Sequence, residues 1–386
     1  MGRNLHGGRL RTWHLTMGLG LVLLSGCYAP PAVPVDATVA APLQRTNIAL
    51  GQDHTCGVKI DGTVLCWGRN TYGQLGDGSS IDKPTPTAVV LLTNVTAIGA
   101  GTNHTCALKN DGSVRCWGNN LDGQLGIGVE TTMFSTSPKV VAGLANVTAI
   151  SVGGNRTCAL TTDGSVHCWG ADWLNGKSLT ATPVAGMAGV KSFDIGERHG
   201  CAVGIDDTVR CWGDNLFGQL GDGTNMSSPI PITPAGLTGI RSIIAGGDKT
   251  CGKIEDGSVT CWGIDEMERR PRPPTTVSGL TDIVDISSGL QHVCGLRVEG
   301  SVQCWGRNMH GEVGDGTYVD KSLPAAVMGL TGVTSIAAGD SRTCAVKNDG
   351  TMLCWGGNTY GELGNGAVSG SSPTPAIVAG GAAFKQ

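Results

Sequence analysis

The chain has 386 residues and a formal net charge of −4, with 62 glycines, 17 prolines and 15 cysteines. A mildly acidic chain is a poor partner for nucleic acid, so DNA and RNA are set aside. This much glycine and proline, with no long amphipathic stretch, argues for an all-β fold.

Residues 1–26 are read as an export signal, with Arg3, Arg9 and Arg11 as its positive region and Leu15 to Leu24 as its apolar stretch. That stretch is too short for a membrane-spanning helix, which needs about 20 apolar residues. It ends in Leu24-Ser25-Gly26-Cys27, which resembles a bacterial lipobox. The resemblance implies that the Cys27 thiol is acylated and that Cys27 becomes the first mature residue. An ordinary secretory signal with an incidental cysteine is the alternative. Residues 27–45 carry Pro30, Pro31, Pro34 and Pro42 and are expected to form a semi-extended tether. The expected location is the bacterial cell envelope, with membrane contact through the N-terminal lipid alone. Tyr28 stands where some lipoproteins carry the Asp associated with inner-membrane retention, which directs the expectation to the outer membrane or cell surface.

From residue 46 to 386 one unit recurs seven times. Its first cysteines are Cys56, Cys106, Cys158, Cys201, Cys251, Cys294 and Cys344. Ten residues after each comes a second, Cys66, Cys116, Cys168, Cys211, Cys261, Cys304 and Cys354, which opens a Cys-Trp-Gly triplet. Successive units are 50, 52, 43, 50, 43 and 50 residues apart, a period that signals a propeller, solenoid or array. Between Cys106 and Cys116, apolar residues at strand spacing flank Asn110-Asp111-Gly112. A three-residue hairpin loop places a left-handed residue last, where glycine has no steric penalty. That loop pairs Lys109 with Ser113 and Leu108 with Val114, and sets Cys106 opposite Cys116. Facing residues have Cα atoms roughly 4.5–5.5 Å apart, within disulfide range. Unit four has Asp206-Asp207 instead, so Asp207 is expected to take the left-handed conformation.

Zinc sites use closer cysteine pairs, so a cross-strand disulfide per unit is the better reading, with metal ligation or reduced buried cysteines as alternatives. Export to an oxidising compartment agrees with it. Each closed loop contributes roughly 2–3 kcal/mol in the chain-entropy model.

A second signature, Gly-Leu-x-x-Val-x-x-Ile, reads Gly143-Leu144…Val147…Ile150 and recurs up to Gly329-Leu330…Val333…Ile336. Such β-branched runs suit buried strands. A third follows the tryptophan as Gly73-Gln-Leu-Gly-Asp-Gly78, with counterparts at 123–128, 218–223, 311–316 and 361–366. Units three and five lack it, which accounts for both 43-residue spacings.

This set of signatures resembles the repeat of the regulator of chromosome condensation (RCC1) family over residues 46–380. The resemblance implies an all-β, seven-bladed β-propeller, here with a cysteine pair added to each repeat as in exported bacterial versions. Propeller blades pack face to face around a channel. Trp67, Trp117, Trp169, Trp212, Trp262, Trp305 and Trp355 are then expected to pack blade to blade. Family members that act as nucleotide-exchange factors work on a nuclear GTPase, which an exported chain would not meet.

Two residues before each first cysteine stands His54, His104, Arg156, His199, Lys249, His292 or Arg342. Sevenfold repetition puts them in a ring on the cysteine face of the strand. They are either a basic ring binding an anion near the channel mouth or, the preferred reading, side chains bonded to loops of their own blades. Unit five carries the basic loop Arg269, Arg270 and Arg272, and unit three carries Trp173 outside any triplet. Exposed aromatics anchor interfaces, so this irregular pair is the expected recognition surface.

There is no Gly-rich phosphate loop, no zincin motif and no Ser/His/Asp order beyond what the repeats explain. Neither cofactor nor metal nor catalysis is expected. The function expected is that of a non-catalytic protein-binding propeller acting as scaffold, sensor or inhibitor, with a carbohydrate or cell-wall binder as the alternative and a lyase or glycosidase behind it.

Overall fold

The computed structural model of the chain describes residues 46–129, 131–172, 174, 176–265 and 270–386. Residues 1–45, read from the sequence as an export signal, Cys27 and a tether, lie outside them, as do Trp173 and Arg269. Among the described residues no helix is long and apolar enough to cross a membrane.

Each repeat folds into one four-stranded antiparallel sheet with its strands in chain order, and there are seven such sheets. The blades span 48–88, 95–140, 147–183, 190–232, 240–276, 283–326 and 333–377. The first strands of all seven line a common central channel. The fold is the seven-bladed all-β propeller that the repeat implied.

The hairpin between second and third strands forms as its turn chemistry requires. Lys109 N donates to Ser113 O at 2.9 Å, and Gly112 N to Lys109 O at 3.0 Å with Gly112 at φ 74°. Leu108 faces Val114, and Cys106 faces Cys116. Asp207 takes φ 62° in the unit without the glycine. All seven cysteine pairs are disulfides, with Cα atoms 4.1 Å apart. That is closer than expected, because hydrogen-bonded rungs alternate with non-hydrogen-bonded ones, and the cysteines fall on a non-hydrogen-bonded rung, where facing residues approach most closely.

The core lies between blades. The Cys56–Cys66 disulfide and Leu75 of blade 1 pack with Ile98, Ala107 and Trp117 of blade 2, all at or near zero exposure. Val and Ile of the second signature are both buried although three residues separate them, as at Val95 and Ile98. On a regular strand they would face opposite ways. A register shift between Val95 and Ala97 adds one residue and turns both inward.

Among the described residues no strand is exchanged to close the ring. Instead Phe384 bridges to Lys59 and its N–H reaches Gly350 O, while Lys385 N donates to Val58 O. Phe384 thus occupies for blade 1 the place Val95 holds for blade 2, and it is 1% exposed beside Trp67.

Candidate functional site

The sites of interest are the joints between blades, and five of the seven share one construction. In blade 1 the Asn70 side chain organises the Gly-Gln-Leu-Gly turn. Its Oδ1 accepts Leu75 N at 3.0 Å, and its Nδ2 reaches Asp77 Oδ1 and Ile81 O. The turn lies on blade 2. Gly76 has φ 69°, and a Cβ there would come within 2.7 Å of the Trp117 indole nitrogen. The Gln74 carbonyl accepts from Trp117 Nε1 and from Thr105 Oγ1, both at 2.9 Å. His54 Nε2 is 2.8 Å from the same Thr105 oxygen. Thr105 gives its only proton to the carbonyl, so its oxygen accepts, and His54 must carry its proton on Nε2.

The same relay joins blade 2 to 3 through His104, Thr157, Gln124 and Trp169. It joins blade 4 to 5 through His199, Thr250, Gln219 and Trp262. Between blades 6 and 7 it uses His292, Thr343, Glu312 and Trp355. At the closing joint Arg342 takes the histidine's part. Its Nε donates to Thr55 Oγ1 at 3.0 Å and its Nη groups to Gln52 O and Gly51 O, while Thr55 and Trp67 bond the Glu362 carbonyl.

The joints from blade 3 to 4 and from blade 5 to 6 are built differently. The turn is missing, and three other positions change with it. Asp172 and Asp265 stand where the five other units have Asn70, Asn120, Asn215, Asn308 and Asn358. Arg156 and Lys249 stand in place of the histidine, and Gly200 and Val293 in place of the threonine on the next blade. A cleft of about 350 Å³ opens between blades 3 and 4, bounded by Arg156, Trp169, Lys177 and Trp212. Another of about 380 Å³ opens between blades 5 and 6, bounded by Lys249, Trp262, Arg272, Trp305 and Lys321. Trp212 is 2% exposed, and its indole N–H has no hydrogen-bond partner among the described residues. Arg156 lies 3.7 Å from Asp172, and Lys321 pairs with Asp315 at 2.7 Å.

RCC1 repeats match this sequence at 46–74, 95–124, 147–173, 190–219, 283–312 and 333–362, with further matches at 61–108 and 299–346, together more than half of the chain. The chain belongs to the regulator of chromosome condensation repeat family. The yeast RCC1 (Prp20) structure with Kap60 superposes at a TM-score of 0.75, with 21% identity over 84% of this chain and 85% of that one. A second structure of Prp20p from Saccharomyces cerevisiae, described with its binding to Gsp1p and histones, gives 0.73, with 21% identity over 87% of each chain. Human WBSCR16 gives 0.69, with 23% identity over 78% of this chain and 88% of that one. These likenesses establish the shared fold. The E3 ubiquitin-protein ligase HERC2 of Mus musculus is 29% identical over 128 residues, 32% of this chain, which spans about 3% of that relative's length.

Within this RCC1-repeat ring, the cationic positions are divided by the joints. His54, His104, His199 and His292 are 0–3% exposed. Burial holds their pKa values down, at about 3 for His54, His104 and His292 and about 4 for His199. They are neutral joint-builders, and their partner is the threonine of the next blade instead of a loop of their own. The channel rim above them carries carboxylates. Glu197 and Asp340 line it, and burial, then Glu197 and Asp53, pushes Asp340 up to about 6 against the pull of Arg342. Arg270 and Arg272 sit at the start of the exposed outer strand Arg270–Thr276 of blade 5. Arg272 borders both the cleft to blade 6 and a groove along the blade 4 turn. Thus Arg156, Lys249 and Arg272 meet the open joints. The threonines and the asparagines were not singled out from the sequence, although their co-occurrence with the turn is written there, and Trp212 was expected only to pack blade to blade like its six counterparts.

Proposed function

We propose that this chain is a non-catalytic, protein-binding propeller, anchored to a bacterial envelope by lipid on Cys27, that holds its partner at the two open joints. The observation that carries the reading is the contrast between five sealed joints and two clefts. Each cleft is floored by a tryptophan and bordered by two or three cationic side chains. Buried aromatic floors with basic borders are the composition of protein-binding hot spots. The two clefts flank one sealed joint, so a single partner spanning blades 4 and 5 engages both. The yeast relatives agree with this, since their structures are described with Kap60, Gsp1p and histones.

The test is cross-linking mass spectrometry on the oxidised full chain in its native membrane. One dominant protein, cross-linked through Lys177, Lys249 or Lys321, is the expected result. Retained polysaccharide with no protein would transfer the assignment to a cell-wall binder, and turnover of that polysaccharide would refute the non-catalytic reading. Labelling with a clickable fatty acid that survives Cys27→Ser would remove the lipid anchor from the proposal.

A further inference from the structure

We propose that the joint between blades 3 and 4 receives from its partner a tight turn of Gly-Glu-Leu-Gly character, in place of the turn whose sequence blade 3 lacks. The inference rests on the protein-binding function above and specifies the ligand.

Three observations define the occupant. The first is the Trp212 indole N–H, which is buried and has no hydrogen-bond partner among the described residues, although five of its counterparts each donate to a main-chain carbonyl at 2.7–3.0 Å. A buried donor of this kind is unfavourable until an acceptor arrives, so the ligand must bring a carbonyl oxygen.

The second is the apolar space. At the sealed joints the residue after that carbonyl is Leu75, Leu125, Leu220, Val313 or Leu363, each 0–1% exposed against the next blade. The glycine that follows, as at Gly76 against Trp117 or Gly364 against Trp67, leaves no room for a Cβ. At the open joint Gly200 replaces the threonine, and a Cβ there would lie 2.6 Å from the Trp212 ring. The floor therefore offers an indole face and no hydroxyl, and the aliphatic-glycine pair of a turn suits it.

The third is charge. The closing joint is the one sealed joint with arginine in the histidine position, where burial pulls the guanidinium down and the nearby Glu362 carboxylate, which accepts the Tyr360 N–H of its own turn, opposes that pull. Blade 3 has Arg156 in that position, with Lys177 also on the cleft and Asp172 the one acid bordering it. Arg156 already lies 3.7 Å from Asp172, and an incoming glutamate would add a second carboxylate beside it, as Glu362 stands near Arg342.

The probe is the chain's own closing turn, residues 358–366 (Asn-Thr-Tyr-Gly-Glu-Leu-Gly-Asn-Gly), made as a cyclised, fluorescein-labelled peptide. Binding to the full oxidised chain is read by fluorescence polarisation and by the ¹⁵N-indole spectrum, with Trp212 assigned from the peak lost in Trp212→Phe. The expected result is saturable binding with a downfield move of the Trp212 indole proton and no change at the five indoles already bonded. Arg156→Gln should weaken binding roughly tenfold, as should changing the peptide's Glu to Gln. Changing its Leu to Ala should weaken it by a similar factor. Should Trp212→Phe fail to fold, the peptide variants still decide the matter. No movement of the Trp212 indole at millimolar peptide overturns the inference, and so do equal affinities for the three peptides. An oligouronate that moves this indole while the peptide does not overturns it too. A partner cross-linked elsewhere on the ring, with the cleft silent to peptide, overturns this inference and leaves the protein-binding function standing.

Discussion

Replacing Thr105 by valine removes one oxygen and keeps the shape of the side chain. Two hydrogen bonds go with it, the 2.8 Å contact from His54 and the 2.9 Å bond to the Gln74 carbonyl. The carbonyl keeps the Trp117 indole, so its loss is partial. The His54 N–H is left buried with no acceptor, which costs about 1–3 kcal/mol. A destabilisation of about 2 kcal/mol is expected, with no change in the denaturant slope because no surface is newly exposed. Equilibrium unfolding in guanidinium with disulfides intact, followed by tryptophan fluorescence, gives the number. Combining Thr105→Val with His54→Leu should cost less than the two alone by about 1 kcal/mol, since each removes the other's partner. The reverse change at an open joint, Val293→Thr, should bring no gain, because the sequence of blade 5 lacks the Gly-Gln-Leu-Gly turn whose carbonyl takes the hydroxyl elsewhere. A cost below about 0.5 kcal/mol for Thr105→Val, or perfect additivity in the cycle, would refute the relay as a source of cohesion.

Acid should loosen the ring. The four buried histidines have folded pKa values below their ordinary 6.5, so the unfolded chain binds more protons, and their contribution is present above 6.5 and lost as pH falls toward 3. Between pH 7 and 5 that is about 2 kcal/mol for each histidine, opposed in part by Asp194 and Asp340, whose raised carboxyls act in the opposite sense. Midpoints that hold steady from pH 7 to 5 would contradict the neutral assignment. Gly76→Ala meets both a left-handed backbone and the Trp117 indole, and should cost about 2–4 kcal/mol. Gly143→Ala has a similar φ but open space, and should cost about 1 kcal/mol. Thermal melts of the pair separate strain from clash. The paired change Cys106→Ser with Cys116→Ser should cost roughly 2–3 kcal/mol, read from the same denaturation curves in oxidising buffer.

What was legible in the sequence was local. An Asn-Asp-Gly turn and a ten-residue cysteine spacing determine a hairpin between neighbours, so strands, disulfides and even the φ of Asp207 followed from a few residues. The 43-residue spacings marked blades 3 and 5 as irregular. What escaped was relation across blades. Thr105 meets a carbonyl 31 residues earlier, and His54 meets a hydroxyl 51 residues later, so neither partner is visible within one unit. The expectation that each histidine serves its own blade failed for that reason. A comparison of units would have found it, since Thr precedes the first cysteine only where the preceding unit carries the turn. The bulge in the first strand escaped because one extra residue leaves no mark in composition. Closure by Phe384 escaped because it is a single aromatic beyond the last repeat.

Every disulfide lies inside a blade and none crosses a joint. Six joints are also spanned by the chain itself, whereas blade 7 and blade 1 are held together non-covalently, by Arg342, by the bond from Gly366 N to Pro84 O, and by the main-chain bonds that tie residues 383–385 to blade 1. Under a pulling force applied to residues 46 and 386, that seam must part first, and the blades must then peel away one at a time. Each blade keeps its ten-residue disulfide loop shut while it yields. At roughly 3.5 Å per extended residue, a 50-residue unit should lengthen the chain by about 14 nm and a 43-residue unit by about 12 nm. The irregular blades would therefore announce themselves as the two short steps in a force trace.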